Sequence, residues 1–360
     1  MLSKIHDAFP ITKKCTYLNT PSSGLTSKNL IDFRKQYDNG IHTDYKKIDF
    51  LEDEQIDSLR TKIQKYFKAE TAEIALLPSF SIGLNGIVDA LPKHAKVLLL
   101  KGDYPSVNLP FEFRDFQIEY AEINENLEHN IDQKLERFQP DFIALSVVQF
   151  LNGIKIDLSF LQQVKKTYPH IQIIGDATQY LGTEKFNFDE SAFSVIGSSG
   201  YKWFNAGTGN AFFIIDKDFL AALNPKSYGS NSLLNKPDGS FRKTGFLEPG
   251  HFDMHSLKSL EVALDFHYNE IGIESIEAQI KSLSLKAFNA FSKRNLLSNA
   301  VQKRKIHSCI FNLNRSEADL KKLLDANIVC AYRKNGIRVG FHYFNNEADL
   351  TNLLATLDEI

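Results

Sequence analysis

The amino-acid sequence predicts an α/β fold, a mostly parallel sheet with helices on both faces, followed by a smaller C-terminal α+β domain. Three observations carry this reading. Apolar, β-rich runs recur as VLLLKGD, FIALSVV, IQIIGD, FSVIGSS and AFFIID. Several of the stretches between them have helical periodicity, the alternation that parallel strands joined by crossover helices require. Beyond residue 242 the pattern changes to long helical stripes and then one alternating strand. Sheets of this kind bind ligands beyond the carboxyl ends of their strands.

In chain order, LLPSFSIGLNGIV (76–88) reads as a turn feeding a helix, with Ser81 and Gly83 ahead of LNGIVDAL. Backbone amides at such a helix start hold a phosphate well, because the helix dipole favours negative charge there. VLLLKGD (97–103) is a buried strand that runs out into a loop carrying Tyr104. IQIIGD (171–176) is another, ending in Asp176, with Gln179 on the turn that leaves it. FSVIGSS (193–199) leads to Ser199, Gly200, Tyr201, Lys202 and Trp203, and the Gly-rich NAGTGN precedes the strand AFFII. Residues 227–240 are dense in turn formers and read as a mobile loop near a domain boundary. Leu257, Leu260, Leu264 and Tyr268 then share one helical face, and Ile276, Ile280, Leu283, Ala287 and Phe291 form a longer stripe. In the last strand Ile337, Val339 and Phe341 fall on one side and Arg338, Gly340 and His342 on the other, so Arg338 leaves the apolar face.

Composition narrows the class of function. With 360 residues, 43% of them hydrophobic, and a formal charge of -2, the chain can bury a large core and divide into two domains. It has no basic bias towards nucleic acid and no apolar run near the roughly 20 residues that span a bilayer. The start, MLSKIHDAFP, lacks the apolar core of a signal peptide, so a cytoplasmic location is expected. Cys15, Cys309 and Cys330 are too scattered for a disulfide framework or a zinc site, and no metal is expected.

Asp176 and Lys202 carry the chemistry. Alone, a lysine is usually a solvated surface residue and an Asp at a strand end a turn former. The ordered set of strand, Asp176, Gln179, second strand, Lys202 and Gly-rich turn points instead to pyridoxal phosphate. That cofactor is an electron sink, needing a lysine amine to hold it as a Schiff base and a carboxylate to keep its ring nitrogen protonated. Gly200 would let the backbone approach a ligand, Ser199 would donate to a phosphate, and Tyr201 and Trp203 would exclude water.

The order and spacing of GDATQ and SSGYKW resemble the class V aminotransferase family of fold-type-I pyridoxal-phosphate enzymes. That family also includes cysteine desulfurases, selenocysteine lyases, kynureninases and isopenicillin-epimerase-like proteins. YLNTPSSGL, LLPSFSIGLNGIV, GDYPSVNLPFE and the closing segment from Tyr332 onward extend the resemblance along nearly the whole chain. It implies a large cofactor-binding domain at 19–242 and a small domain at 243–360, with residues 1–18 packed against the latter. It further implies that Lys202 is the Schiff-base residue and proton carrier and that Asp176 faces the ring nitrogen. By the same resemblance Gln179 bonds the ring hydroxyl oxygen, Tyr104 stacks on the ring, and Ser81, Ser199 and Tyr201 serve the phosphate. His251 stands where relatives use a threonine to reach the phosphate of the neighbouring subunit, which implies a homodimer with shared sites. Arg338 falls at the position that binds the substrate α-carboxylate, with Asn19, Gln149, Phe150 and the 227–240 loop as pocket walls.

The departures bear on the activity. Phe80 and Ser81 replace a usual pair of threonines, Tyr201 replaces the histidine common in desulfurases, and Phe150 replaces their asparagine. Cys330 falls inside an expected strand rather than on the loop that carries a desulfurase nucleophile. The expectation is therefore an aminotransferase acting at the α-carbon of an amino acid. The alternatives are a cysteine desulfurase, selenocysteine lyase or epimerase-like enzyme, and a non-catalytic binding module that keeps the fold.

Overall fold

The computed structural model describes residues 2–44, 52–233 and 241–359. Its strands in chain order are β1 (Thr16–Tyr17), β2 (Glu73–Leu77), β3 (Lys96–Lys101), β4 (Gln117–Glu122), β5 (Phe142–Ser146), β6 (Gln172–Asp176), β7 (Val195–Ser199), β8 (Ala211–Ile215), β9 (Ile310–Leu313), β10 (Ile328–Val329), β11 (Ala331–Arg333) and β12 (Gly336–Gly340). Seven of them form one sheet in the order β2-β8-β7-β6-β5-β3-β4. Only β8 runs against its neighbours β2 and β7, so the sheet is mostly parallel, as expected.

Period-2 alternation divides this sheet between two apolar cores. Leu98, Leu100, Ile143, Leu145, Ile173 and Ile196 face one core, and Val97, Leu99, Phe142, Ala144, Ile174 and Val195 face the other. Both faces are therefore dry, which is why the central strands read as continuous apolar runs. The order reverses between β3 and β5, since the chain goes outward to β4 and returns on the other side of β3. That reversal opens a crevice at the carboxyl ends of β3, β5 and β6, and Asp103, Ser146 and Asp176 stand at its rim.

The C-terminal part has its own antiparallel sheet, β11-β12-β9, and β1 pairs in parallel with β10. Leu257, Leu260 and Leu264 are buried on the helix Met254–Asp265, but a wider π-helical turn, Phe266–Ile271, interrupts the stripe before Tyr268. The second stripe, Ile276 to Phe291, is buried along Ile273–Lys293 as expected. Of the turn-rich loop at 227–240, residues 234–240 lie outside the described residues.

Candidate active site

Asp176 is the last residue of β6, and its carboxylate accepts a hydrogen bond from the Thr178 amide at 2.8 Å. Burial pushes this carboxyl up to about 6, against the pull of Thr178 and of the Lys202 charge. Lys202 sits on the loop between β7 and β8 with 6% of its surface exposed. Burial, aided by the Arg338 charge and opposed by Asp176, brings its amine down to about 8. Nζ lies 5.7 Å from the centre of the Tyr104 ring and 5.5 Å from that of Tyr201. Among the described residues Lys202 forms no ion pair and no side-chain hydrogen bond. A buried amine of that kind is easily deprotonated, and in that state it is a nucleophile.

Residues around the lysine tie its loop down through hydrogen bonds and close packing. The Trp203 indole donates to Gln179 Oε1 at 2.8 Å, and Gln179 Nε2 donates to the Pro21 carbonyl at 2.9 Å. Gln179 therefore has one amide hydrogen left over. The Trp203 carbonyl faces the Nε2 atoms of two buried histidines, His267 at 2.9 Å and His342 at 3.0 Å. Because His342 Nδ1 accepts from the Tyr343 amide, the His342 proton sits on Nε2 and points at that carbonyl. The His342 ring is also stacked between Trp203 and Phe344. Across the loop, the Gly24 amide donates to the Tyr201 carbonyl at 2.8 Å, and a Cβ on Gly24 would lie 2.1 Å from the Lys202 carbonyl. The close approach expected at Gly200 is with protein rather than ligand: a Cβ there would meet Asn210 Oδ1 at 2.2 Å.

A polar cup closes one side. Ser79, not Ser81, caps the helix Phe80–Asp89, and Gly83 lies within that helix against Phe213. The Phe80 amide donates to Ser199 Oγ at 3.0 Å, and the Ser199 amide to Thr178 Oγ1 at 3.2 Å. Ser81 Oγ pairs with Ser106 Oγ at 2.7 Å. Hydroxyl groups of Ser79, Ser81, Thr178 and Ser199 thus gather at the positive end of a helix dipole.

On the other side Tyr104 meets Phe150 edge-to-face at 5.2 Å. Buried Asp103 ties the loop down, accepting from the amides of Tyr104 at 2.6 Å and Ser146 at 2.8 Å. Arg338 is buried on β12; it donates to the Phe150 carbonyl at 2.7 Å and to Ser22 Oγ at 2.6 Å, while its Nε has no partner among the described residues. The Asn19 carbonyl accepts from the Ser22 and Ser23 amides, and the buried Asn19 Oδ1 and Thr20 Oγ1 are unpartnered among the described residues. Gln149 is buried beneath, with Nε2 3.4 Å from the Ser146 carbonyl. His251 is exposed and shares no hydrogen bond or ring contact with these groups among the described residues.

The structure thus brings together eleven of the expected site residues and leaves His251 apart. Sequence reasoning missed Thr178, Asp103, Ser22, Gly24, His267 and His342. Thr178 and Asp103 lie inside GDATQ and GDYPS, where two polar residues directly after an apolar strand were a readable signal. A cleft of about 480 Å³ lined by Phe142, Gln172, Ser194 and Asp216 opens at the opposite end of the sheet, away from this chemistry.

The family model for aminotransferase class-V matches residues 17–353. The chain belongs to the class V aminotransferase family. It is an enzyme of the pyridoxal-phosphate-dependent transferase type, and its cofactor is pyridoxal 5'-phosphate. It is 21% identical over 319 residues to the uncharacterized aminotransferase YcbU of Bacillus subtilis, covering 85% of this chain and 83% of that one. The fold is similar to the apo cysteine desulfurase of Thermococcus onnurineus, with TM-score 0.85 and 17% identity over 99% of this chain and 97% of that one. It is equally similar to a C-DES variant with glycine covalently linked to its pyridoxal-phosphate cofactor, with TM-score 0.85 and 16% identity over 99% of each chain. The residues present fit such a group. Among the described residues the buried Lys202 has no carboxylate partner within ion-pair distance, the buried Asp176 acts on it through its charge, and the buried Asn19 Oδ1, Thr20 Oγ1 and Arg338 Nε have no hydrogen-bond partner.

Proposed function

We propose that the chain is an aminotransferase of α-amino acids, and the observation that carries this is the buried amine of Lys202, without an ion pair among the described residues and acted on by the charges of Asp176 and Arg338. Pyridoxal phosphate, when bound, supplies an electron sink for negative charge at the substrate α-carbon. Lys202 would hold the cofactor covalently and, as a free amine, carry a proton on Nζ; an amine brought down to about 8 is suited to both. Asp176 would hold the ring nitrogen protonated, and Gln179 would offer its remaining amide hydrogen to the ring hydroxyl oxygen. Ser81 and Ser199 would bind phosphate at the helix start, with Tyr201 donating its hydroxyl. Tyr104 would lie on the ring face and exclude water. Arg338 would take the substrate α-carboxylate through paired charge-assisted hydrogen bonds, with Asn19 and Phe150 bounding the pocket.

Sulfur transfer is the second reading, since a structural neighbour is a cysteine desulfurase. It needs a reactive thiolate. Cys330 is buried with its thiol pushed up to about 12 by burial, and Cys309 is buried with its thiol pushed higher still. Neither suits a nucleophile. Incubating the holoprotein with single amino acids and a 2-oxo acid acceptor, and separately with cysteine, distinguishes the two readings. New amino acid formed from the acceptor supports transamination, and sulfide with alanine from cysteine overturns it.

The same reading extends to assembly. A large domain of 19–242 and a small domain of 243–360, with residues 1–18 packed against the latter, are consistent with β1 pairing with β10. A homodimer in which His251 reaches the neighbouring subunit's phosphate is consistent with the exposed apolar side chains Ile82, Leu109 and Phe113 beside the helix start. No described helix is long and apolar enough to cross a membrane.

A further inference from the structure

Arg338 is not the only guanidinium at this mouth. Strand β11 pairs with β12 so that Ala331 is opposite Arg338 and Arg333 opposite Gly336. Those four residues share one face of the hairpin, and Arg333 and Arg338 are diagonal neighbours on it, the spacing at which long side chains meet. Gly336 has no side chain to compete for that space, and a Cβ there would meet Asn312 Oδ1 at 1.9 Å. Asn312 in turn donates to the Arg333 carbonyl at 3.1 Å, holding the strand end in place.

Both arginines converge on one hydroxyl. Arg338 Nη2 donates to Ser22 Oγ at 2.6 Å, and Arg333 Nη2 makes a longer contact with the same oxygen at 3.5 Å. The two like charges are close enough that Arg333 helps to lower the Arg338 pKa. Among the described residues neither has a carboxylate partner. Arg338 is buried and Arg333 exposed, so the pair forms a positive path from solvent into the pocket. Two guanidinium groups held together without an acid repel one another, and that repulsion is relieved by a ligand bearing negative charge at two points.

We propose that Arg333 binds a second carboxylate, so that the site selects dicarboxylic amino acids and 2-oxo acids over monocarboxylic ones. This rests on the reading of Arg338 as the α-carboxylate residue. Arg338 takes the carboxylate next to the reacting carbon, and Arg333, at the solvent side of Ser22, takes the distal one. Charge-assisted hydrogen bonds at an exposed arginine give selectivity of about tenfold, the lower end of their range.

The test is calorimetric titration of the coloured holoprotein with two unreactive probes, glutarate and butyrate, in wild type, Arg333→Gln and Arg338→Gln. Glutarate binding wild type about tenfold more tightly than butyrate is expected. Arg333→Gln should bring that ratio near unity, whereas Arg338→Gln should weaken both probes. The wild-type preference should also shrink as salt is raised, because Arg333 is exposed. A wild-type ratio within about twofold, or a preference that survives Arg333→Gln, overturns the role of Arg333 and leaves that of Arg338 standing. Butyrate and glutarate bound as well by Arg338→Gln as by wild type overturns the Arg338 reading, and this inference with it.

Discussion

Lys202 owes its low pKa to burial more than to any single neighbour. Burial and Arg338 lower it while Asp176 raises it, and the balance falls at about 8. The neutral amine grows as pH rises through that value, so the apoprotein should take up pyridoxal phosphate faster from pH 6 to 8 and level off above about 9. Asp176→Asn removes a nearby negative charge that favours the protonated amine. The midpoint of the uptake rate, followed by visible absorbance, should therefore move to lower pH, and a midpoint that moves up would contradict this balance. At this scale the sequence was legible where chemistry demands a residue type: an acid at a strand end and a lysine between small and aromatic residues. It was not legible for His267 and His342, because their partner is a backbone carbonyl that only the folded chain brings to them.

At the scale of elements, the central strands were readable because both faces are buried, leaving uninterrupted apolar runs such as Val97–Leu100. The edge strand β4 was not, since QIEYAE is half exposed and carries glutamates. The two-residue strands β1 and β10 have no periodicity to read, and their pairing joins residues far apart in sequence. Ser79 is the cap because the helix begins at Phe80, one turn earlier than the LNGIVDAL pattern, with Phe80 stacked on Phe213. The segment through Gly24 crosses the lysine loop at a distance only glycine permits. Gly24→Ala should cost about 1–3 kcal/mol through overpacking, lowering the thermal midpoint and weakening cofactor retention together. Unchanged stability by differential scanning fluorimetry would mean that the two segments separate freely.

For the whole molecule, the fold at the sheet's switch point collects groups from β3, β5, β6, the lysine loop and β12 into one crevice. Beside it the apolar side chains of Ile82, Leu109 and Phe113 are exposed. Phe113, 81% exposed, lines a surface groove with Leu109 and Arg114. If a second copy covers that face, as the proposed shared-site dimer requires, Phe113→Asp should shift the sedimentation coefficient from dimer to monomer and reduce cofactor affinity. A wild-type monomer that retains cofactor would remove the shared-site arrangement and the part assigned to His251.

The central assignment is Lys202 as the residue that holds pyridoxal phosphate. Borohydride reduction of the holoprotein, followed by proteolysis and mass spectrometry, tests it directly. The expected result is a single modified peptide carrying the cofactor on Lys202, absent from Lys202→Ala, with visible absorbance lost in the mutant. A modification on another lysine, or a protein that takes up no pyridoxal phosphate at any pH, would contradict it.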